Sequence, residues 1–112
     1  MTRAEIFSGV CGFTTRIEAT SDGNHHIHLN IQSDCEAIQR LADQLTTVDP
    51  FQEITFRGDG PLALRLAAEC GCHTACPVPA GIIKAVEVAA GLALPADATI
   101  RIAKEDDGTH KS

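Results

Sequence analysis

Five cysteines carry the strongest chemical signal in this sequence, and each lies at or near the predicted end of a helix or strand. Metal ions and iron–sulfur clusters are held by several thiolate sulfurs that a preformed backbone brings together. The odd number of cysteines argues against complete pairing in disulfides. The pattern therefore predicts one shared site of reduced thiols. With one neighbouring histidine, the candidate metal ligands are Cys11, Cys35, Cys70, Cys72, His73 and Cys76.

The densest part of this set is the segment Cys70–Pro79, where three cysteines follow the spacing C-x-C-x3-C. Two prolines and a glycine predict that this segment is a loop between two helices. Sulfur ligands suit zinc, Cu(I) and iron alike, and the predicted cofactor is an iron–sulfur cluster or zinc. The predicted cofactor ligands are Cys11, Cys35, Cys72 and Cys76, with Cys70 or His73 as a substitute.

Cys76 alone supports a second hypothesis, because it lies just before a predicted helix, whose N-terminal end favours a thiolate. Residues 76–102 contain a Cys-Pro-x-Pro motif, a predicted helix and then a predicted strand. This segment, CPVPAGIIKAVEVAAGLALPADATIRI, resembles part of the TusA-like sulfur carriers. The resemblance implies that Cys76 carries a persulfide to a partner protein. A sulfur-carrier or thiol-redox function through Cys76 is therefore the first alternative to metal binding.

The chain as a whole resembles a small family of uncharacterised prokaryotic proteins with a His-x-x-Cys-Pro-Val-Pro segment before an Ala-rich helix. The matching residues are His73–Pro79 and Lys84–Pro95, together with Cys11-Gly12 and Ser33–Glu36. This resemblance supports the choice of candidate residues and implies no particular activity. A third hypothesis is an interaction domain with structural cysteines, because Cys35 and Cys70 lie on apolar helix faces, where buried cysteines pack as small hydrophobes.

Alternating apolar and polar residues predict three strands that would hold this site. A β-hairpin is predicted over Phe13–Thr20 and His25–Gln32, joined by an Asp-Gly turn. A last strand is predicted over Ala98–Ala103. His26 and His28 share one side of the hairpin, which we interpret as its polar outer face rather than as a metal site.

Three predicted helices complete the fold. Ser33–Glu36 fits a capping box, with the serine as N-cap of the first helix. Pro61 suits the first position of a second helix that ends near Cys70. Pro79 begins a third helix, and Gly91 is suited to end it. The sum is an α+β fold: an antiparallel sheet of three or more strands, formed by the hairpin and the C-terminal strand, with about three helices packed on one face.

Composition excludes several classes of function. The 112 residues predict a single α+β domain over residues 1–104 and a polar flexible tail over residues 105–112. The net charge of −6, with nine Lys and Arg and no Trp or Tyr, argues against binding to nucleic acid. No stretch approaches the roughly 20 apolar residues of a membrane span, and the N-terminus lacks the apolar core of an export signal. We therefore expect a cytoplasmic protein, and an unknown protein partner or a homo-oligomer stays open.

Overall fold

The sheet of this protein is formed by strands that follow one another in the chain. A computed structural model describes residues 1–106. Its four strands pair in the order β1-β2-β3-β4, and every pair is antiparallel. The strands are β1 (Thr2–Phe7), β2 (Thr14–Ser21), β3 (Ile27–Ser33) and β4 (Thr47–Val48).

Helices cover one face of this sheet. They are α1 (Glu36–Gln44), α2 (Pro50–Glu53), α3 (Leu62–Glu69) and α4 (Val78–Ala89). Helix α1 packs on β3, α4 packs on β1 and β2, and α3 contacts both α1 and α4. Apolar residues of one parity on the strands, such as Ile17 and Leu29, form the core together with helix residues such as Leu41 and Ile82. This arrangement confirms the predicted α+β fold, with one helix more than expected.

The other face of the sheet is polar and exposed. It carries Arg3 and Glu5 from β1, and Arg16 and Glu18 from β2. Arg16 Nε lies 3.3 Å from Glu5 Oε2, and Arg3 Nε lies 3.9 Å from Glu18 Oε2. Because these pairs are exposed, they contribute little stability, but they keep this face solvated.

The predicted C-terminal strand is wrong within the described part of the chain. Residues 98–103 have no strand assignment, and the sheet is extended instead by β1, which pairs with β2 from Thr2↔Ala19 to Phe7↔Thr14. The alternation of apolar and polar residues that predicted this strand depends only on neighbouring residues. A strand also needs hydrogen bonds to the edge of another strand, which a local pattern does not provide. Ile100 and Ile102 are 77% and 91% exposed.

All three predicted helix starts move by two residues or less, and Pro61 is the N-cap of α3 rather than its first residue. Cys35, not Ser33, is the N-cap of α1, because Ser33 is the last residue of β3. Ser33 Oγ accepts a hydrogen bond from the Cys35 N–H at 3.2 Å, so it stabilises the approach to the helix rather than the helix itself. Helix α4 begins at Val78, with Pro79 in its first turn. Differences of one or two residues are usual at helix ends.

The predicted end of the third helix is confirmed in detail. Gly91 has a φ of 76°, and its N–H donates to Val88 O at 3.0 Å. The next N–H, from Leu92, donates to Glu87 O at 2.9 Å. These two bonds form a Schellman motif, in which a left-handed glycine satisfies the last helical carbonyls.

No helix within residues 1–106 has the length and apolar composition to cross a membrane. The predicted flexible tail at residues 105–112 lies, apart from its first two residues, outside the described part of the chain.

Candidate thiol site

The C-terminal end of α3 positions two of the cysteines. Cys70 is the C-cap of this helix, and its N–H donates to Leu66 O at 2.8 Å. Gly71 has a φ of 83°, and the Cys72 N–H turns back to donate to Ala67 O at 3.0 Å. This Schellman motif fixes the backbone of both cysteines without any contribution from their sulfur atoms.

Helix α1 provides hydrogen-bond donors to Cys70. Arg40 Nε and Nη2 donate to the Cys70 carbonyl oxygen at 3.1 and 2.8 Å. One turn further along α1, Gln44 Nε2 donates to Cys70 Sγ at 3.5 Å. Since Cys70 is only 6% exposed, this amide is a polar partner for a buried sulfur.

A short turn connects Cys72 to the start of α4. The Cys76 N–H donates to His73 O at 3.0 Å, and Pro77 is the N-cap of α4. Cys76 therefore lies immediately before the helix, where the partial positive charge of the N-terminus favours an anion. A cleft of about 350 Å³ opens beside this turn between α3 and α4, and its lining includes Cys72, His73, Cys76, Ala67 and Pro79.

The Cys72 thiol lies within electrostatic reach of three other thiols. Partial burial of the Cys72 thiol is the main cause that raises its pKa above the ordinary value. Negative charge on three neighbouring thiols raises the pKa of Cys72 further, and the nearby guanidinium of Arg40 lowers it slightly. Those three thiols are Cys76, Cys35 and Cys70. Hydrogen bonds from Arg40 and Gln44 join α1 to Cys70 at the end of α3, and α3 also packs against α4.

Cys11 and His73 occupy different positions from this group. Cys11 is exposed in the turn between β1 and β2, and it is not among the groups that act on Cys72. His73 is exposed at the rim of the cleft. Of the predicted ligands, the structure thus brings Cys35, Cys72 and Cys76 together and adds the substitute Cys70.

The thiols form a group of neighbours and not a closed coordination sphere. Within residues 1–106, no three Cys, His, Asp or Glu side chains are arranged to hold a metal ion. All five cysteines are free thiols. Ligation would therefore require new side-chain rotamers on a backbone whose hydrogen bonds already fix three of the four positions.

Sequence reasoning missed the residue that secures the other end of α3. Glu53 lies at the end of α2, is 2% exposed, and accepts hydrogen bonds from Leu62 N–H at 2.7 Å and Ala63 N–H at 2.9 Å. Its carboxylate takes the place of a capping side chain, because the N-cap residue itself is Pro61. Sequence patterns that extend over a few residues do not predict this contact, because Leu62 lies nine positions after Glu53.

The histidines of the hairpin lie away from the thiols. His28 Nε2 lies 3.2 Å from Asp22 Oδ2, and His28 Nδ1 lies 3.2 Å from Thr47 Oγ1, on the exposed side of the sheet. Hydrogen bonds, the first from the Asn24 N–H, lower the pKa of Asp22. These contacts connect the β2–β3 turn to β4 and form no part of the thiol site.

Comparison with known proteins identifies the family of this chain but assigns no function to it. No curated protein and no solved structure matches it. A family model matches residues 2–102, which is nearly the whole chain and includes every cysteine. The chain therefore belongs to DUF6951, a family of unknown function.

Proposed function

We propose that this protein binds a sulfur-seeking metal ion or an iron–sulfur cluster through Cys35, Cys70, Cys72 and Cys76. The proposal is supported by the electrostatic effect of Cys76, Cys35 and Cys70 on the Cys72 thiol, and by the hydrogen bonds that join α1 to Cys70. Zinc and iron in clusters accept four thiolate ligands, and thiolates also suit Cu(I).

Electrostatics explains why a cation suits this group. Thiolates that lie close together repel one another, and the raised pKa of Cys72 expresses that repulsion together with burial. A bound cation would remove the repulsion and displace the thiol protons. Affinity for metal should therefore increase with pH until the thiols are deprotonated.

The backbone supports the same proposal. Cys70 and Cys72 are fixed by the Schellman motif, and Cys76 is fixed by the turn from His73. Cys35 and Cys76 lie at helix N-termini, which stabilise negative charge on a ligand. Gln44 donates to Cys70 Sγ, as outer hydrogen-bond donors do at metal sites.

The decisive experiment measures metal and acid-labile sulfide in protein purified without oxygen, alongside its visible absorption. Iron with sulfide and a broad absorption band would identify a cluster, and zinc without sulfide would identify a mononuclear site. Each of Cys35→Ser, Cys70→Ser, Cys72→Ser and Cys76→Ser should weaken binding at least about tenfold, since even outer contacts are worth that much.

Cys11→Ser is the matched control, because Cys11 is exposed and outside the group. It should bind metal as the wild type does. A protein that takes up neither zinc, Cu(I) nor a reconstituted cluster would contradict the proposal. Equal binding by all five serine variants would also contradict it.

A second candidate is sulfur transfer or thiol redox chemistry through Cys76. It is favoured by the cleft that Cys76 shares with Cys72, since a thiol beside the reacting one can resolve a persulfide or a mixed disulfide. Intact mass should then show an added sulfur of about 32 Da that is released by reductant. The adduct should persist in Cys72→Ser and disappear in Cys76→Ser. Absence of both metal and adduct would leave an interaction domain with structural cysteines.

A further inference from the structure

Strand β1 presents an open edge. Among the described residues it lies at the end of the sheet and pairs with β2 on one side. Its other side carries backbone N–H and C=O groups that can accept a further strand. Strand β1 contains no proline and no bulge that would prevent pairing at this edge.

The C-terminal segment has the pattern of a strand and lacks a pairing partner in its own sheet. After α4, residues 98–103 are exposed, and the branched residues Ile100 and Ile102 alternate with Thr99 and Arg101. Branched side chains favour an extended backbone and pack well when one side of the strand is buried. Two neighbouring isoleucines that are 77% and 91% exposed leave an apolar face uncovered.

Residues 94–106 are exposed throughout, and the molecule is elongated. The principal extents are 58 × 29 × 27 Å. The radius of gyration is 15.6 Å, whereas a compact chain of this length is expected near 13 Å. These exposed residues 94–106 form an arm whose apolar side chains a second copy can cover.

We propose that residues 98–104 of one copy add an antiparallel strand to the free edge of β1 in a second copy, reciprocally. Arg101 would pair with Glu5 of the other copy. That register places Ile100 opposite Ile6 and Ile102 opposite Ala4. The result is a two-fold dimer in which each sheet gains a fifth strand.

Side-chain parity and charge select this register. Ala4 and Ile6 pack against the core on the helix side of β1, so both isoleucines would extend an existing apolar surface. On the other face, Arg101 would continue the row that contains Glu5 and Arg16. A shift by two residues in one direction would place Arg101 opposite Arg3, and like charges that face each other across strands are unfavourable. A shift by two residues in the other direction would place Arg101 opposite Phe7, where it has no carboxylate to pair with. The antiparallel direction matches every other pair in the sheet.

The first test is molecular mass in solution by light scattering. The wild type should be a dimer, and Ile102→Asp should raise its dissociation constant at least about tenfold, because a carboxylate would be buried. Leu94→Asp is the control: Leu94 is 88% exposed on the same arm but outside the paired residues. A monomeric wild type, or a dimer unaffected by Ile102→Asp, would overturn the proposal.

A charge exchange tests the register. The variant Arg101→Glu places an acidic side chain opposite Glu5 of the other copy. A second variant, Glu5→Arg with Arg16→Glu, places a basic side chain opposite Arg101 and keeps an ion pair between positions 5 and 16 within each chain. Each variant alone should dimerise more weakly than the wild type. A mixture of the two should restore the dimer, because both contacts then join opposite charges. Failure of the mixture to associate better than its components would reject the pairing of Arg101 with Glu5.

Discussion

At the scale of the residue, Cys72 shows how neighbours change a side chain that would otherwise be unremarkable. Its position in the sequence predicts a thiol in a loop. Its burial and the three thiols around it together favour the protonated form, and they raise its pKa. A thiol of this kind is a poor nucleophile at neutral pH but a good metal ligand once a cation displaces its proton.

The raised pKa of Cys72 predicts a pH dependence of stability in the metal-free protein. In the unfolded chain this thiol ionises near pH 8.5, whereas the folded protein retains the proton to higher pH. Since the folded state binds more protons in that range, its stability is complete below about pH 8.5 and decreases as pH rises through the folded pKa.

Urea denaturation of wild type and Cys72→Ala from pH 7 to 10 measures this effect. The midpoint of Cys72→Ala should decrease less steeply above about pH 8.5, and Cys11→Ala should follow the wild type. Parallel curves for wild type and Cys72→Ala would contradict the assignment.

At the scale of the element, the site depends on how α3 is held at both ends. Glu53 caps its N-terminus, and Arg40 with the Schellman motif secures its C-terminus. Helix α3 has only eight residues, so it is too short to be stable without these contacts. The cysteines at its end are positioned by residues that carry no chemistry of their own.

Glu53→Ala is therefore expected to destabilise the protein. It leaves the buried N–H of Ala63 and the part-buried N–H of Leu62 without an acceptor, and an unsatisfied buried donor costs about 1–3 kcal/mol. Chemical denaturation measures the change in the free energy of unfolding. Glu36→Ala is the control, because Glu36 is an exposed acidic residue in the first turn of α1. Equal losses in the two variants would show that the Glu53 cap has no special role.

Helix α4 approaches β1 closely at Gly81. A Cβ at this position would lie 2.6 Å from Ile6 Cγ1 and closer still to its Cδ1. Although alanine is the better helix former by about 1 kcal/mol, Gly81→Ala should destabilise the protein by about 1–3 kcal/mol through overpacking.

A double-mutant cycle measures that contact. In an Ile6→Ala background the clash is absent, so Gly81→Ala should be neutral or stabilising there. The coupling energy is obtained from the free energies of unfolding of the four proteins. Additive effects would show that α4 tolerates a methyl group against β1.

At the scale of the whole molecule, the two faces of the sheet and its free edge have different roles. One face is buried under the helices that position the thiols, and the other carries exposed ion pairs. The thiols lie at helix ends, whereas the proposed dimer contact involves the edge strand. Serine substitutions at the thiols should therefore leave the dimer intact, and the two proposals can fail independently.

Protection of the arm from protease provides a further prediction for the assembled protein. Trypsin cleaves after Arg101 and Lys104, which would be inaccessible in the paired strand. Dilution below the dimer dissociation constant should speed cleavage at these sites, while the exposed Arg57 provides a reference that is insensitive to concentration. Mass spectrometry of timed digests gives both rates. A cleavage rate at Arg101 that does not depend on concentration would contradict the paired arm.

The sequence by itself determined the features that depend on neighbouring residues. Alternation and an Asp-Gly turn predicted the β2–β3 hairpin, and Gly91 predicted the end of α4, because these signals act over a few positions. Only the tertiary structure decided that β1, and not Ala98–Ala103, extends the sheet. It also decided that Arg40 and Gln44 of α1 contact Cys70 whereas Cys11 lies in an exposed turn. Strand pairing and the meeting of helix ends join residues far apart in the chain, and local patterns contain no information about those contacts.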